Sequence, residues 1–261
     1  MLQNTNVCLR AYATYSDKGS QRPINEDSVY TFTEKNIFGI ADGYGGNNIG
    51  DVAARHALDY AGQFIKAGLG DSEVTLPFVF RDYLTDGGNL VFNALLFANQ
   101  KLIDDNRGRH INGRGGASAL LTFLTGNKMI VGNVGLCQGT LIRRGRVQPL
   151  LKPRSYNALR GVFQGSWNTQ WAFPLIGLGH STHLEPEILE LQVESGDVVI
   201  LSTDGIYPRL VDEDFSECYR ALKGAERLDL GLSEQNQRLA ELALQKGSVD
   251  NQSMITMVYG A

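Results

Sequence analysis

Apolar positions along the chain fall into two rhythms, one suited to strands and one to helices. Residues 37–41, 117–125 and 128–134 are short apolar runs, rich in branched and aromatic side chains and too short for helices. Gly126-Asn127 separates the last two, and both residues tolerate positive φ, so a two-residue hairpin is predicted there. Leu189, Leu191 and Val193 alternate with Glu190 and Gln192, the pattern of a strand with one wet face. Residues 197–203 and 253–259 complete the clear strands.

Three segments carry helical periodicity instead. Ile49, Val52, Ala53, Ala57, Tyr60 and Phe64 share one face, with Asn47 or Asn48 as cap and Gly68 as stop. Leu90, Val91, Ala94, Leu95, Ala98 and Leu102 form a second stripe, closed before Gly108. A third helix is predicted from Ser233, burying Leu239, Leu242 and Ala243 and ending at Lys246-Gly247. Strands at both ends with helices between hairpins indicate a mixed-sheet α+β protein, not repeated βαβ units. Residues 151–186 hold two Trp, several Gly and no steady period, which reads as an irregular surface excursion.

Composition narrows the picture. At 261 residues and 43% hydrophobic, the chain can bury a sizeable core. The absence of repeats, linkers and long charge blocks predicts one domain over residues 1–261. No apolar run reaches the roughly 18 residues of a membrane helix, and the start lacks a signal-peptide pattern. Three widely spaced cysteines, Cys8, Cys137 and Cys218, fit neither a disulfide framework nor a zinc knuckle, so a cytoplasmic protein is expected. A net charge of -4 argues against a nucleic-acid binder. Nothing in the pattern specifies an oligomer.

Candidate chemistry lies where acids meet apolar strands. Asp42 directly follows the run at 37–41, Asp204 follows 197–203, Asp250 precedes the last strand, and Glu26-Asp27 sit together near the amino end. Carboxylates brought together repel unless protonated or bridged by a cation, and an all-oxygen set suits Mg²⁺ or Mn²⁺. Asp-Gly, present at Asp42-Gly43 and Asp204-Gly205, is also a common turn, and both alternatives stand at this point. Gly43-x-Gly45-Gly46 precedes a helix but is an incomplete phosphate-loop signature. His180 and His183 read as loop histidines, His56 as a hydrogen-bonded core residue, and Arg143, Arg144 and Arg146 as a solvated hairpin tip. Neither a Cys nucleophile nor a Gly-x-Ser-x-Gly elbow is indicated.

In order along the chain, Ser16-Asp17-x-Gly19-x-x-Arg22-x-x-Asn25-Glu26-Asp27, Phe38-Gly39-Ile40-Ala41-Asp42-Gly43-x-Gly45-Gly46, Gly115-Gly116-Ala117-Ser118-Ala119, Gly132-Asn133-Val134-Gly135, Ser202-Thr203-Asp204-Gly205 and Asp250-Asn251 resemble the metal-dependent Ser/Thr protein phosphatases, protein phosphatase type 2C, in its bacterial form. The resemblance implies a four-layer α/β/β/α sandwich, two mostly antiparallel sheets flanked by helices, with metals at one end. It implies that Asp42 bridges two Mn²⁺ or Mg²⁺ ions, Asp204 and Asp250 complete one site, and Glu26 and the Gly43 carbonyl support the other. Asp27 would orient the bridging water and Arg22 bind phosphate oxygens. Two such ions lower the pKa of a shared water, whose hydroxide attacks phosphorus in line, while the Arg22 fork matches two phosphate oxygens.

Departures from the family pattern sharpen these expectations. Gly135-Leu136-Cys137-Gln138 stands where Gly-Asp-Ser-Arg is usual, and Leu136 cannot ligate a third ion. Tyr44 stands where some members carry a histidine proposed as general acid; with a pKa near 10 it leaves protonation of the leaving group to water. Leu175-Ile176-Gly177-Leu178-Gly179 in the flap-like segment departs too. The implied partners are phosphorylated Ser/Thr proteins, opposite a Ser/Thr kinase. A phosphatase-like module that binds phosphoprotein with little turnover is the alternative.

Overall fold

The computed structural model describes residues 6–46, 48–69, 79–155, 174–220 and 227–261. Ten strands are β1 (Cys8–Asp17), β2 (Asp27–Phe32), β3 (Ile37–Gly45), β4 (Gly115–Thr125), β5 (Lys128–Val134), β6 (Gln138–Arg143), β7 (Arg146–Leu151), β8 (Glu187–Gln192), β9 (Val198–Ser202) and β10 (Gln252–Gly260). The helices among the described residues are α1 (Gly50–Gly68), α2 (Asp86–Asn106), α3 (Asp212–Arg220) and α4 (Leu228–Gln245). One sheet runs β1-β10-β9-β6-β7 and the other β2-β3-β4-β5-β8. Every pairing within them is antiparallel.

Strand periodicity sorts the side chains into three apolar layers. In β3, Phe38 and Ile40 face the opposite sheet while Ile37 and Ala41 face α1 and α2. In β9, Val199 and Leu201 join the layer between the sheets, and Val198 and Ile200 pack with α3 and α4. Central strands are therefore buried on both faces, which is why they read as continuous apolar runs. The result is the expected four-layer α/β/β/α sandwich. A buried amide secures the outer helices: Asn236 on α4 accepts from Tyr219 Oη and Thr256 Oγ1, both at 2.7 Å, and donates to the Ala13 carbonyl.

The hairpin at Gly126-Asn127 forms as predicted, with Thr125 opposite Lys128 and Gly126 at φ 57°. Other expectations need correction. Helix α1 begins at Gly50, with Ile49 in the cap position; Asn48 is a left-handed turn residue at φ 55° and Asn47 lies outside the described residues. Its buried face centres on Ala54, Leu58, Ala61 and Ile65, because small side chains let the helix approach the sheet. Tyr60 and Phe64 instead pack at that core's edge, Phe64 against Phe97. Helix α4 starts at Leu228, ahead of Ser233.

The supposed wet face of β8 is covered at Glu190, which accepts from Thr85 N and Oγ1 at 2.9 and 2.7 Å and pins the start of α2, while Gln192 is exposed. His56 is half-exposed, not core, and bonds Asp105 at 3.0 Å. Arg143 is no solvated tip residue, since its guanidinium forks onto buried Asp197 at 2.9 and 2.6 Å. Arg144 and Gly145 make the turn itself, both with positive φ. Of the irregular excursion, residues 156–173 lie outside those described.

Leu120, fully buried between the sheets, tests this packing. Leu120→Ala is expected to lower unfolding free energy by about 2–5 kcal/mol, read from urea denaturation.

Candidate functional site

The predicted acids gather at one end of the sandwich, and strand register explains why. Asp27 opens β2 directly opposite Asp42 in β3, so both side chains share the face that Phe38 and Ile40 turn toward the other sheet. Strand β3 does not stop at Ala41: it continues through Asp42-Gly43 to Gly45, paired with β4 to Gly115. The turn alternative for Asp42-Gly43 therefore falls, as does the phosphate-loop pattern at Gly43-x-Gly45. Asp204-Gly205 leaves β9 for a 3₁₀ turn, Tyr207–Arg209, rather than closing a hairpin.

The opposite sheet reaches across at this end. Thr203 Oγ1 donates to Asp27 Oδ2 at 2.8 Å, while the Ser253 amide donates to Thr203 Oγ1 at 3.0 Å. Asp204 follows Thr203, and Asp250 precedes β10. Asn251 stitches the amino-terminal loop to this edge: its Nδ2 donates to the carbonyls of Lys18 and Ile24 at 2.8 and 2.9 Å, and its Oδ1 accepts from Glu26 N at 2.9 Å. The Gly43 amide donates to the Glu26 carbonyl at 3.1 Å, and Glu26 Oε1 accepts from the Gly50 amide at 3.1 Å. Glu26 thus caps α1, the role predicted for an asparagine. Gly43 must be glycine, because a Cβ there would run into the Gly50 carbonyl.

Arg22 lies against Asp250 in a two-point ion pair, Nε to Oδ1 and Nη2 to Oδ2, each 2.8 Å. Among the described residues, no three acidic, histidine or cysteine side chains stand close enough to enclose a cation as they lie. Arg22 bonds Asp250, Thr203 bonds Asp27, and the Gly50 amide bonds Glu26.

Electrostatics still mark the site. Burial, then the charges of Asp204, Asp27 and Asp250, pushes the Asp42 carboxyl well above its ordinary range, against the pull of Arg22. Burial raises Asp27 to about 8, outweighing the Thr203 and Ser253 hydroxyls, with Asp204 and Asp250 adding to the rise. Asp204 rises to about 7, through burial and Asp250, opposed by Arg22. Glu26 is raised by burial despite the Gly50 amide and Arg22. All of these carboxylates keep partial solvent access. A crowd of reachable oxygens, each made costly to ionise by its neighbours, is a donor set suited to hard divalent cations.

Several neighbours complete the surroundings. Cys137 lies in the layer between the sheets, its thiol raised by burial and by Asp42, Asp27 and Asp204. Leu136 is 2% exposed. Ser118 pairs with Asp42, and its buried Oγ has no hydrogen-bond partner. Tyr44 stacks on His180, ring centroids 5.3 Å apart and 9° from parallel, so His180 is more than a loop residue; His183 is exposed. Burial and Asp42 push the Tyr44 phenol above its usual range. Thr203, Asn251 and Ser118 lie within the recognised motifs, yet only contact geometry reveals their roles.

Comparison with known proteins places the chain in a family. The family model described as Protein phosphatase 2C matches residues 19–242. The serine/threonine protein phosphatase PstP of Mycobacterium tuberculosis is 27% identical over 250 residues, covering 94% of this chain but 44% of its own length. The chain thus spans less than half the length of that relative. The probable protein phosphatase 2C 56 of Oryza sativa subsp. japonica is 24% identical over 269 residues, covering 94% of this chain and 70% of its own. The PstP catalytic domain, solved in complex with 2 manganese ions, superposes with TM-score 0.74 at 25% identity, covering 98% of this chain and 100% of that one. The S. agalactiae serine/threonine phosphatase shares the fold, with TM-score 0.75 at 20% identity over 95% of this chain and 98% of its own.

The carboxyl shifts set a pH dependence. Protons held more tightly in the fold than in the unfolded chain, where Asp titrates near 3.9, favour the fold below about pH 4. That advantage is lost as pH rises through about 7 for Asp204 and about 8 for Asp27. In chelator-treated buffer, Tm is expected to fall between pH 5 and pH 8.5, and Asp27→Asn to flatten that slope, by differential scanning calorimetry.

Proposed function

Since the chain belongs to the protein phosphatase 2C family, we propose that it hydrolyses phosphoserine and phosphothreonine in proteins with the aid of Mn²⁺ or Mg²⁺. The observation carrying this reading is the convergence of Asp27, Asp42 and Asp204 at the end of the sandwich, each raised by burial among like charges. The manganese bound by the PstP catalytic domain supports it.

In this reading Asp42, Asp204, Asp250, Glu26 and the Gly43 carbonyl would together hold the divalent cations, Asp42 lying between the other two aspartates and Glu26 in role. Bound divalent ions supply a water of lowered pKa and offset the phosphate charge. The chain's own residues do the rest. Asp27, held by the Thr203 hydroxyl, orients the attacking water. Arg22 offers a planar fork to two phosphate oxygens. Tyr44, its phenol raised and its ring stacked on His180, is a poor proton donor, so the seryl or threonyl oxygen takes its proton from solvent. The Leu136 side chain carries no oxygen, so this reading assigns two ions to the centre. Residues 1–261 act as one catalytic unit in the cytoplasm, opposing a Ser/Thr kinase.

Phosphopeptide hydrolysis is expected to require Mn²⁺ or Mg²⁺, and Asp42→Asn to lower kcat by on the order of 10³-fold. Tight phosphopeptide binding without turnover in Mn²⁺ would sink the enzyme reading in favour of a phosphoprotein-binding module. Calorimetric titration with Mn²⁺ is expected to saturate at about two ions per chain; a third equivalent would overturn the role given to Leu136.

A further inference from the structure

The Arg22–Asp250 pair joins two groups to which the proposed function gives separate tasks. We infer that Arg22 is the resident counter-ion of the acid cluster and is exchanged for a divalent cation at Asp250, so that loading the metal frees the guanidinium for phosphate. This rests on the metal-dependent reading above.

Asp250 Oδ1 already accepts from Arg22 Nε at 2.8 Å and from the Asn251 amide at 2.9 Å, and Oδ2 accepts from Arg22 Nη2 at 2.8 Å. Both lone pairs of Oδ1 are thus used, and a cation at Asp250 would meet the positive fork face to face. A divalent cation taking Asp250 would remove both of these carboxylate acceptors from the guanidinium, Oδ1 and Oδ2.

The motion required is small. Asn251 holds the chain at Lys18 and at Ile24, on either side of Arg22, so the backbone is fixed and the side chain alone must turn. Arg22 is 33% exposed and Asp250 23%, leaving room for rotation at the rim. Exchange also imposes an order: metal first, phosphate second. A metal-free site presents an arginine already engaged with a carboxylate, and so has little attraction for a phosphate dianion.

The test is Mn²⁺ calorimetry on chelator-stripped wild type, Arg22→Gln and Arg22→Lys, each checked for fold by circular dichroism, with inorganic phosphate titrated afterwards. Removing the competing charge in Arg22→Gln is expected to tighten one Mn²⁺ site roughly 5- to 150-fold, the usual span of coupling between sites, and to weaken phosphate binding. Arg22→Lys, a point charge without the fork, is expected to fall between. In wild type, the ¹⁵Nε resonance of Arg22 is expected to leave its carboxylate-bonded position as Mg²⁺ is added. Equal or weaker Mn²⁺ affinity in Arg22→Gln, or an Arg22 resonance unmoved at saturating Mg²⁺, overturns the exchange while leaving the metal reading intact. Failure of wild type to bind Mn²⁺ overturns both.

Discussion

Like charges held together at the open end of an apolar slab are the constraint on which this structure turns. Asp27, Asp42 and Asp204 would separate if their backbones could yield. Ile40 and Phe38, two and four residues behind Asp42, and Leu201 behind Asp204, are fully buried between the sheets and hold the strand ends in place. The Thr203–Asp27 hydrogen bond closes the gap between sheets at the one level where apolar contact gives way to charge. Packing therefore keeps together carboxyls that answer their crowding by holding their protons to higher pH.

The departures read from the sequence fall at two places in the fold. Leu136 and Cys137 lie where the chain crosses from β5 to β6, moving from one sheet to the other. Both are buried, so this crossing is apolar. Tyr44 and His180 form a stacked pair at the ends of β3 and β4, and the bridge between Ala117 and Leu178 holds the segment carrying His180 against β4.

Much of the central architecture was legible because strands buried on both faces spell continuous apolar runs, as in β4, β5 and β9. Strand β1 was not: its helix-facing side carries Ala11 and Ala13, too small to mark a period, and its register shifts between Leu9 and Ala11. Helix α3 hid because Asp212, Glu213 and Asp214 dilute a short stripe of Phe215, Cys218 and Tyr219. The acids of the site could be named from their motifs, yet not their present partners. Arg22 and Asp250 lie 228 residues apart, and nothing local to either predicts that they meet. Likewise Asp42-Gly43 carries turn chemistry, and only pairing with both β2 and β4 shows a strand passing through it.

The clamp made by Asn251 has a consequence for how the amino-terminal loop can vary. One amide fixes Lys18, Ile24 and Glu26 at once, so the chain between the first two has a set contour length. Substitutions at Ser20, Gln21 or Pro23 change only what that arc displays, whereas inserting or deleting a single residue would carry Arg22 past Asp250. The loop can drift in composition, but its length is locked, and the lock sits 227 residues along the chain from Ile24.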